Sequence, residues 1–253
     1  MRYKDWTQEK VTEMYDIWES DFGFREAGFE VFKSPITDER SILLIGYNPN
    51  YKQKHITEDE ETGEVYHKSL HNYPDGFSMR HLTHLEDDSV DYRHKSTVKR
   101  CIFNNEPELL SEVVEMNRYF LRSSTSDSHS SVLNAVEDQD AVQAYEEFCR
   151  ETNKEVLEKV DPDTVVIMSK DLSFEMIEEF GYEVTLNAEY EAKDFDYSDE
   201  RESDVISTSL RTGETDSFDV VSLGNHLSWP GLGSTHYEFF SDIIPNHLPD
   251  PQS

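Results

Sequence analysis

The chain is predicted to fold as an α/β protein, three layers α/β/α around a mainly parallel sheet of about four strands. Two observations predict this. Four short apolar stretches, at 42–46, 117–122, 164–169 and 218–223, read as buried strands, and most run straight into a polar turn. The stretches between them place apolar residues every three or four positions, as helices covering a sheet do. All 253 residues are expected to form one domain, with a long insertion at about 51–105.

The organising stretch is Ser41–Asn50, SILLIGYNPN. Its branched apolar side chains suit a strand buried on both faces, and Gly46 and Pro49 mark a sharp turn after it. In open parallel sheets ligands bind just beyond the carboxyl ends of the strands. Asn48 stands there, a neutral amide able to donate and to accept, restricted by Pro49 to extended geometry. A plain Asx turn accounts for it equally well.

Before that strand, residues 7–20 carry Val11, Met14, Tyr15 and Trp18 at helical spacing, with Thr7 as the expected N-cap. A short strand is expected near Phe29–Phe32. Residues 51–105 hold few periodic apolar positions and six of the ten histidines, His55, His67, His71, His81, His84 and His94. PELLSEVVEM reads as helical, NRYFLR (117–122) as the second strand, and 123–131 as a polar linker. A long helix follows over 139–160, ended by Asp161-Pro162, and TVVIMS is the third strand. A helix at 172–180 is closed by Gly181, and YEVTL is a further strand. The acidic stretch 188–217 is expected to be a surface hairpin or loop. FDVVSL is the last buried strand, leading into GNHLSWPG and a helix from about Ser234 to Ile244.

The 54 acidic and 23 basic residues give a net charge of −31, spread along the chain as in proteins that stay soluble at high salt. Acidity is heaviest over 131–220, whereas 51–122 collects Lys52, Lys54, Arg80, Arg93, Lys95, Lys99, Arg100, Arg118 and Arg122. A polyanion would meet that second region; a solvated, nearly neutral loop is the alternative. Cys101 and Cys149 cannot build a disulfide framework, so a reducing interior is expected. No apolar run reaches membrane length and no signal peptide opens the chain. The expectation is a cytoplasmic monomer with no membrane contact, no cofactor and no metal.

If the first and last strands are parallel and close, Asn48 and His226 face one crevice. His226 could then donate to a developing anion, Asn48 could orient a water, and Ser228 could contact a phosphate. A histidine bonded to a carbonyl in a tight turn is the plainer alternative for His226.

In this order of motifs the chain resembles the uracil-DNA glycosylase superfamily. Gly46-Tyr47-Asn48-Pro49 is similar to a strand followed by G-x-N-P, and His226-Leu227-Ser228 to H-P-S with Leu for Pro. Asn117 and Arg122 fit an Asn with an Arg five positions on, and Gly76-Phe77-Ser78 resembles the segment whose ring stacks on uracil. Cys149, Pro162 and TVVIMS follow the family's order, whereas Ser169-Lys170-Asp171-Leu172 stands in place of its usual G-x-x-A. The resemblance implies hydrolysis of an N-glycosidic bond in uracil-containing or damaged DNA. It implies that Asn48 positions the water and His226 stabilises the departing base. Tyr47, Phe77 and Asn117 would contact the base. Ser228, Trp229 and Arg122 would contact the phosphodiester or fill the vacated base position. Two other readings stay open: a non-catalytic nucleobase- or nucleic-acid-binding member of the same fold, and a metal-dependent hydrolase built on the histidines of the insertion.

Overall fold

The structure is a computed structural model that describes residues 3–22, 28–50, 56–58, 63, 65–67, 85, 93–124, 126–169, 172, 174–195, 208–224, 227 and 234–249. Its centre is β1 (Ile42–Gly46), all five residues buried. Parallel neighbours flank it: β4 (Val113–Asn117) pairs Ile42 with Val113 through Gly46 with Asn117, and β5 (Thr164–Ile167) pairs Ile42 with Thr164. The parallel set ends with β8 (Asp219–Leu223) beside β5. Two antiparallel strands, β7 (Ser209–Glu214) and β6 (Thr185–Glu191), extend the sheet to six in the order β4-β1-β5-β8-β7-β6. A separate hairpin, β2 (Ile56–Glu58) and β3 (Val65–His67), lies in the predicted insertion.

Alternation along the strands sorts side chains into two cores. Leu43, Ile45, Val114, Met116, Val165, Ile167 and Val220 join one core. There they meet Val11 and Met14 of α1 (Lys4–Ile17) and the inner side of α5 (Gln139–Val160), with Met176 and Ile177 of α6 (Phe174–Glu179). Ile42, Leu44, Val113, Val166, Met168, Val221 and Leu223 join the other. Their partners there are Val98 and Cys101 of α2 (Arg93–Cys101), Leu109 and Leu110 of α3 (Pro107–Ser111), and Phe239, Phe240 and Ile243 of α7 (Ser234–Ile243). Fully burying each such aliphatic side chain contributes about 1.5–3 kcal/mol.

Helix α5 begins at Asp138, whose carboxylate accepts from the Asp140 amide (3.0 Å), and stops where Asp161 turns left-handed (φ 49°) ahead of Pro162. Helix α1 is fastened to it by Glu155, which accepts from Trp6 Nε1 (2.6 Å) and pairs with Lys10 (2.9 Å). Thr7 lies inside α1, not at its cap, and its hydroxyl donates to the Lys4 carbonyl. A π-helical turn, Trp18–Phe22, follows α1. Residues 28–32 then run antiparallel to the end of β4 and the segment after it, with bridges Phe32–Met116 and Phe29–Leu121, and so cover the β4 edge.

Six expectations are corrected. The second buried strand is VVEMN, not NRYFLR, and the predicted PELLSEVVEM helix stops at Ser111. Two adjacent valines followed by a buried register against β1 outweigh helical spacing over so short a run. The predicted 123–131 linker contains a helix, α4 (Ser126–Asn134). The strand expected at YEVTL begins at Thr185 and is the exposed sheet edge, and the sheet has six strands where about four were expected. Lys95, one of the basic residues of the 51–122 region that a polyanion was expected to meet, is 4% exposed.

Candidate active site

The carboxyl ends of β4, β1, β5 and β8 lie along one edge of the sheet, because all four strands are parallel. Beyond Gly46 the chain continues beside the segment that leaves β4, and the two are laced together. The Gly46 carbonyl accepts from Arg118 N (2.8 Å), Tyr47 O from Tyr119 N (2.9 Å), and Pro49 O from Ser123 N (3.1 Å). Arg122 Nη1 donates to the Asn50 carbonyl at 3.0 Å. The loop that carries Asn48 is therefore held along its length.

Asn48 is half-buried, and its Nδ2 donates to Ser123 Oγ (2.8 Å), Pro49 O (2.9 Å) and Ser123 O (3.1 Å). With the donor end committed, Oδ1 is the atom left to accept, and it takes no hydrogen bond from the described residues. The local bond, from Nδ2 to the Pro49 carbonyl, is not that of an Asx turn, in which Oδ1 accepts from the amide two residues on. The bonds to Ser123, 75 positions away, are tertiary.

Asn117 closes β4 opposite Gly46 and is 1% exposed. Among the described residues neither Oδ1 nor Nδ2 has a hydrogen-bond partner. Leaving such an atom buried and unpaired costs about 1–3 kcal/mol, so native structures rarely keep one without cause. The amide lies against Gly46: a Cβ there would stand 2.8 Å from Asn117 Oδ1 and 3.8 Å from Met168 Cε. Gly46 thus makes the space in which the Asn117 amide sits. By strand alternation Asn117 shares its face with Val113, on the side of α2 and α7.

Tyr47 points elsewhere. Its ring packs in the opposite core, 5.1 Å from Tyr119 and edge-on at 5.7 Å from His129. Its ring and the Asn117 amide therefore do not share a base-binding face. Arg122 is corrected as a phosphate ligand: it is 9% exposed and pairs with Glu30 (3.1 Å) in addition to the Asn50 carbonyl. Its role is to tie three chain segments together. His226, Phe77, Ser228 and Trp229 lie outside the described residues. Between them Leu227 is fully buried in the α2–α7 core, and Gly224 lets β7 approach so closely that a Cβ would overlap Ser209. The loop after β8 therefore leaves the same sheet edge as Asn48, two strand spacings, about 10 Å, from β1.

Beneath the segment leaving β4, the Tyr145 hydroxyl accepts from the amides of Phe120 and Leu121, both at 3.0 Å. His129, 1% exposed, lies 4.4 Å from the Tyr119 ring, and burial lowers its pKa to about 4. Burial likewise pushes the Cys149 thiol up to about 12, so it stays protonated. A cavity of about 310 Å³ opens by Arg118, Glu146, Arg150 and Glu179 on that side. Its charges are largely self-paired, Arg118 with Glu179 and Arg150 with Glu147.

Sequence reasoning missed the roles of Ser123 and Tyr145, and it expected a strand near Phe29–Phe32 without its antiparallel place along β4. No local signal marks any of them, because each acts through a contact formed only on folding. Comparison with known protein families, curated proteins and solved structures finds no significant match. No described helix is long and apolar enough to cross a membrane.

Proposed function

We propose that the chain hydrolyses the N-glycosidic bond of uracil or another deaminated base in DNA, on a three-layer α/β/α frame of the uracil-DNA glycosylase type. The observation that carries this reading is the buried, unpartnered amide of Asn117 at the carboxyl edge of the parallel sheet, one strand from Asn48. An amide offers one acceptor and one donor side by side, and the edge of uracil offers the complementary pair. A base bound there would relieve both unpaired atoms at once, recovering about 1–3 kcal/mol for each.

A base reaches such a pocket only after leaving the duplex stack. Because Asn117 is 1% exposed, the cover over it must also open for the base to enter. Asn48 then acts through its remaining acceptor, Oδ1, which orients the attacking water without being a strong base. That suffices when the base departs as an anion and the sugar is cation-like. His226 is assigned the donor that stabilises the departing base. Ser228 and Trp229 are assigned to the phosphodiester and the vacated stack, and Phe77 to the base face.

Uracil-containing single- and double-stranded oligonucleotides, incubated with the protein at molar salt, test the reading by abasic-site formation. Asn48→Ala is expected to lower turnover by about 100-fold or more while leaving oligonucleotide affinity nearly unchanged, since it removes water orientation and little contact area. Absence of excision of any deaminated base by the wild type would overturn the enzyme. Retained affinity for such oligonucleotides would then favour the binding-module reading.

A further inference from the structure

We infer that Ser123 is a positioning residue, whose hydroxyl and carbonyl fix the Asn48 amide so that its oxygen is the end offered to a water. The inference rests on the function proposed above for its kinetic meaning, but the geometry stands independently. Three acceptor oxygens surround Asn48 Nδ2, and two of them belong to Ser123, with Oγ the closest at 2.8 Å. An amide has two nearly equivalent orientations, and here only one is compatible with the surroundings. Turning the amide over would set Oδ1 against two carbonyls, which cannot donate. Ser123 is 4% exposed, its amide donates to the Pro49 carbonyl, and it forms a parallel bridge with Asn50. Its backbone is therefore fastened to the same loop that it orients.

That fastening has a source below it. The chain from Asn117 to Ser123 is tied by Asn153 Nδ2 to Arg118 O (2.8 Å), by the Tyr145 hydroxyl to two amides, and by Arg122 to Glu30. Ser123 closes this series at the point where the segment meets Asn48. The two carbonyls set which way round the amide lies, and the hydroxyl adds the shortest of the three bonds that hold it there, a bond that Thr also supplies and Ala does not.

The test uses the full chain at molar salt, with Ser123→Ala and Ser123→Thr. The first readout is side-chain amide exchange by NMR, with Asn153, bonded to a backbone carbonyl elsewhere, as the internal reference. Loss of one hydrogen bond of about 1 kcal/mol is expected to speed exchange at Asn48 several-fold in Ser123→Ala, with Asn153 unchanged and Ser123→Thr close to wild type. The second readout is the glycosylase assay. There kcat is expected to fall about tenfold in Ser123→Ala with KM little changed, and Thr is expected to restore it. Equal acceleration at Asn48 and Asn153 would mark Ser123 as merely structural and overturn the inference, as would an unaltered Asn48 amide. A wild type without excision overturns the function alone, because the amide readout does not depend on it.

Discussion

Replacing Asn117 with Leu is expected to stabilise the fold while abolishing base recognition. Asn and Leu share a branched shape, so two methyl groups would take the places of Oδ1 and Nδ2. Those two atoms are buried with no partner among the described residues, in a side chain that is 1% exposed and lies against Gly46. Removing the desolvation penalty contributes about 1–3 kcal/mol per atom, and packing of the methyl groups adds to it. Crowding opposes this, since a methyl is larger than the oxygen that already approaches Gly46, and overpacking costs about 1–3 kcal/mol. The balance is a gain of about 1–2 kcal/mol, or roughly 2–8 °C in Tm for a chain of this size. Differential scanning calorimetry and urea unfolding at molar salt measure it, with excision and oligonucleotide binding assayed alongside. A loss of stability of about 1 kcal/mol or more would refute the reasoning, because it would mean that the amide is satisfied in the folded protein. Unchanged excision in the Leu variant would separately remove Asn117 from the site.

Three further outcomes are expected. His129 has its folded pKa lowered from 6.5 to about 4, so the unfolded chain binds this proton more readily. The corresponding stability is fully present above pH 6.5 and is lost as pH falls toward 4, a swing of up to about 3 kcal/mol. Urea midpoints of wild type and His129→Phe between pH 4 and 7.5 report it, and parallel pH slopes would contradict it. Tyr145→Phe removes the acceptor of two buried amides, those of Phe120 and Leu121, and is expected to destabilise by about 2–4 kcal/mol. Faster hydrogen exchange at those two amides should accompany the loss, and a change below about 0.5 kcal/mol would show that water replaces the hydroxyl. Arg122→Ala is expected to destabilise by about 1.5–3 kcal/mol through loss of the ion pair to Glu30 and of the bond to the Asn50 carbonyl, while Arg122→Lys recovers part of that. A destabilisation that vanishes in Glu30→Gln/Arg122→Ala would confirm the pair as its source, and an undiminished one would exclude it.

The sequence by itself determined the frame on which the site is built. Mostly apolar runs at Ile42–Gly46, Thr164–Ile167 and Asp219–Leu223 are strands because consecutive apolar residues put apolar side chains on both faces, which suits a sheet covered on both sides. The long helix at 139–160 was equally legible from its period and its Asp-Pro terminus. Asn48 was legible as a residue beyond a strand end, since the Gly and Pro around it mark the turn. The tertiary structure decided the rest. Whether VVEMN or NRYFLR was the second strand depended on which of two adjacent stretches could register against β1, and local propensity does not carry register. The orphaned amide of Asn117 exists only because Gly46 stands opposite it on another strand. Arg122 reads as a surface cation along the chain, yet folding brings Glu30 within 3.1 Å of it from 92 positions earlier and buries both guanidinium and bond. Likewise Ser123, at the head of what reads as a polar linker, gains its meaning from Asn48, 75 positions earlier. Secondary structure follows from short-range periodicity, whereas the partners of a polar side chain are chosen by contacts that the chain makes only once its strands have paired.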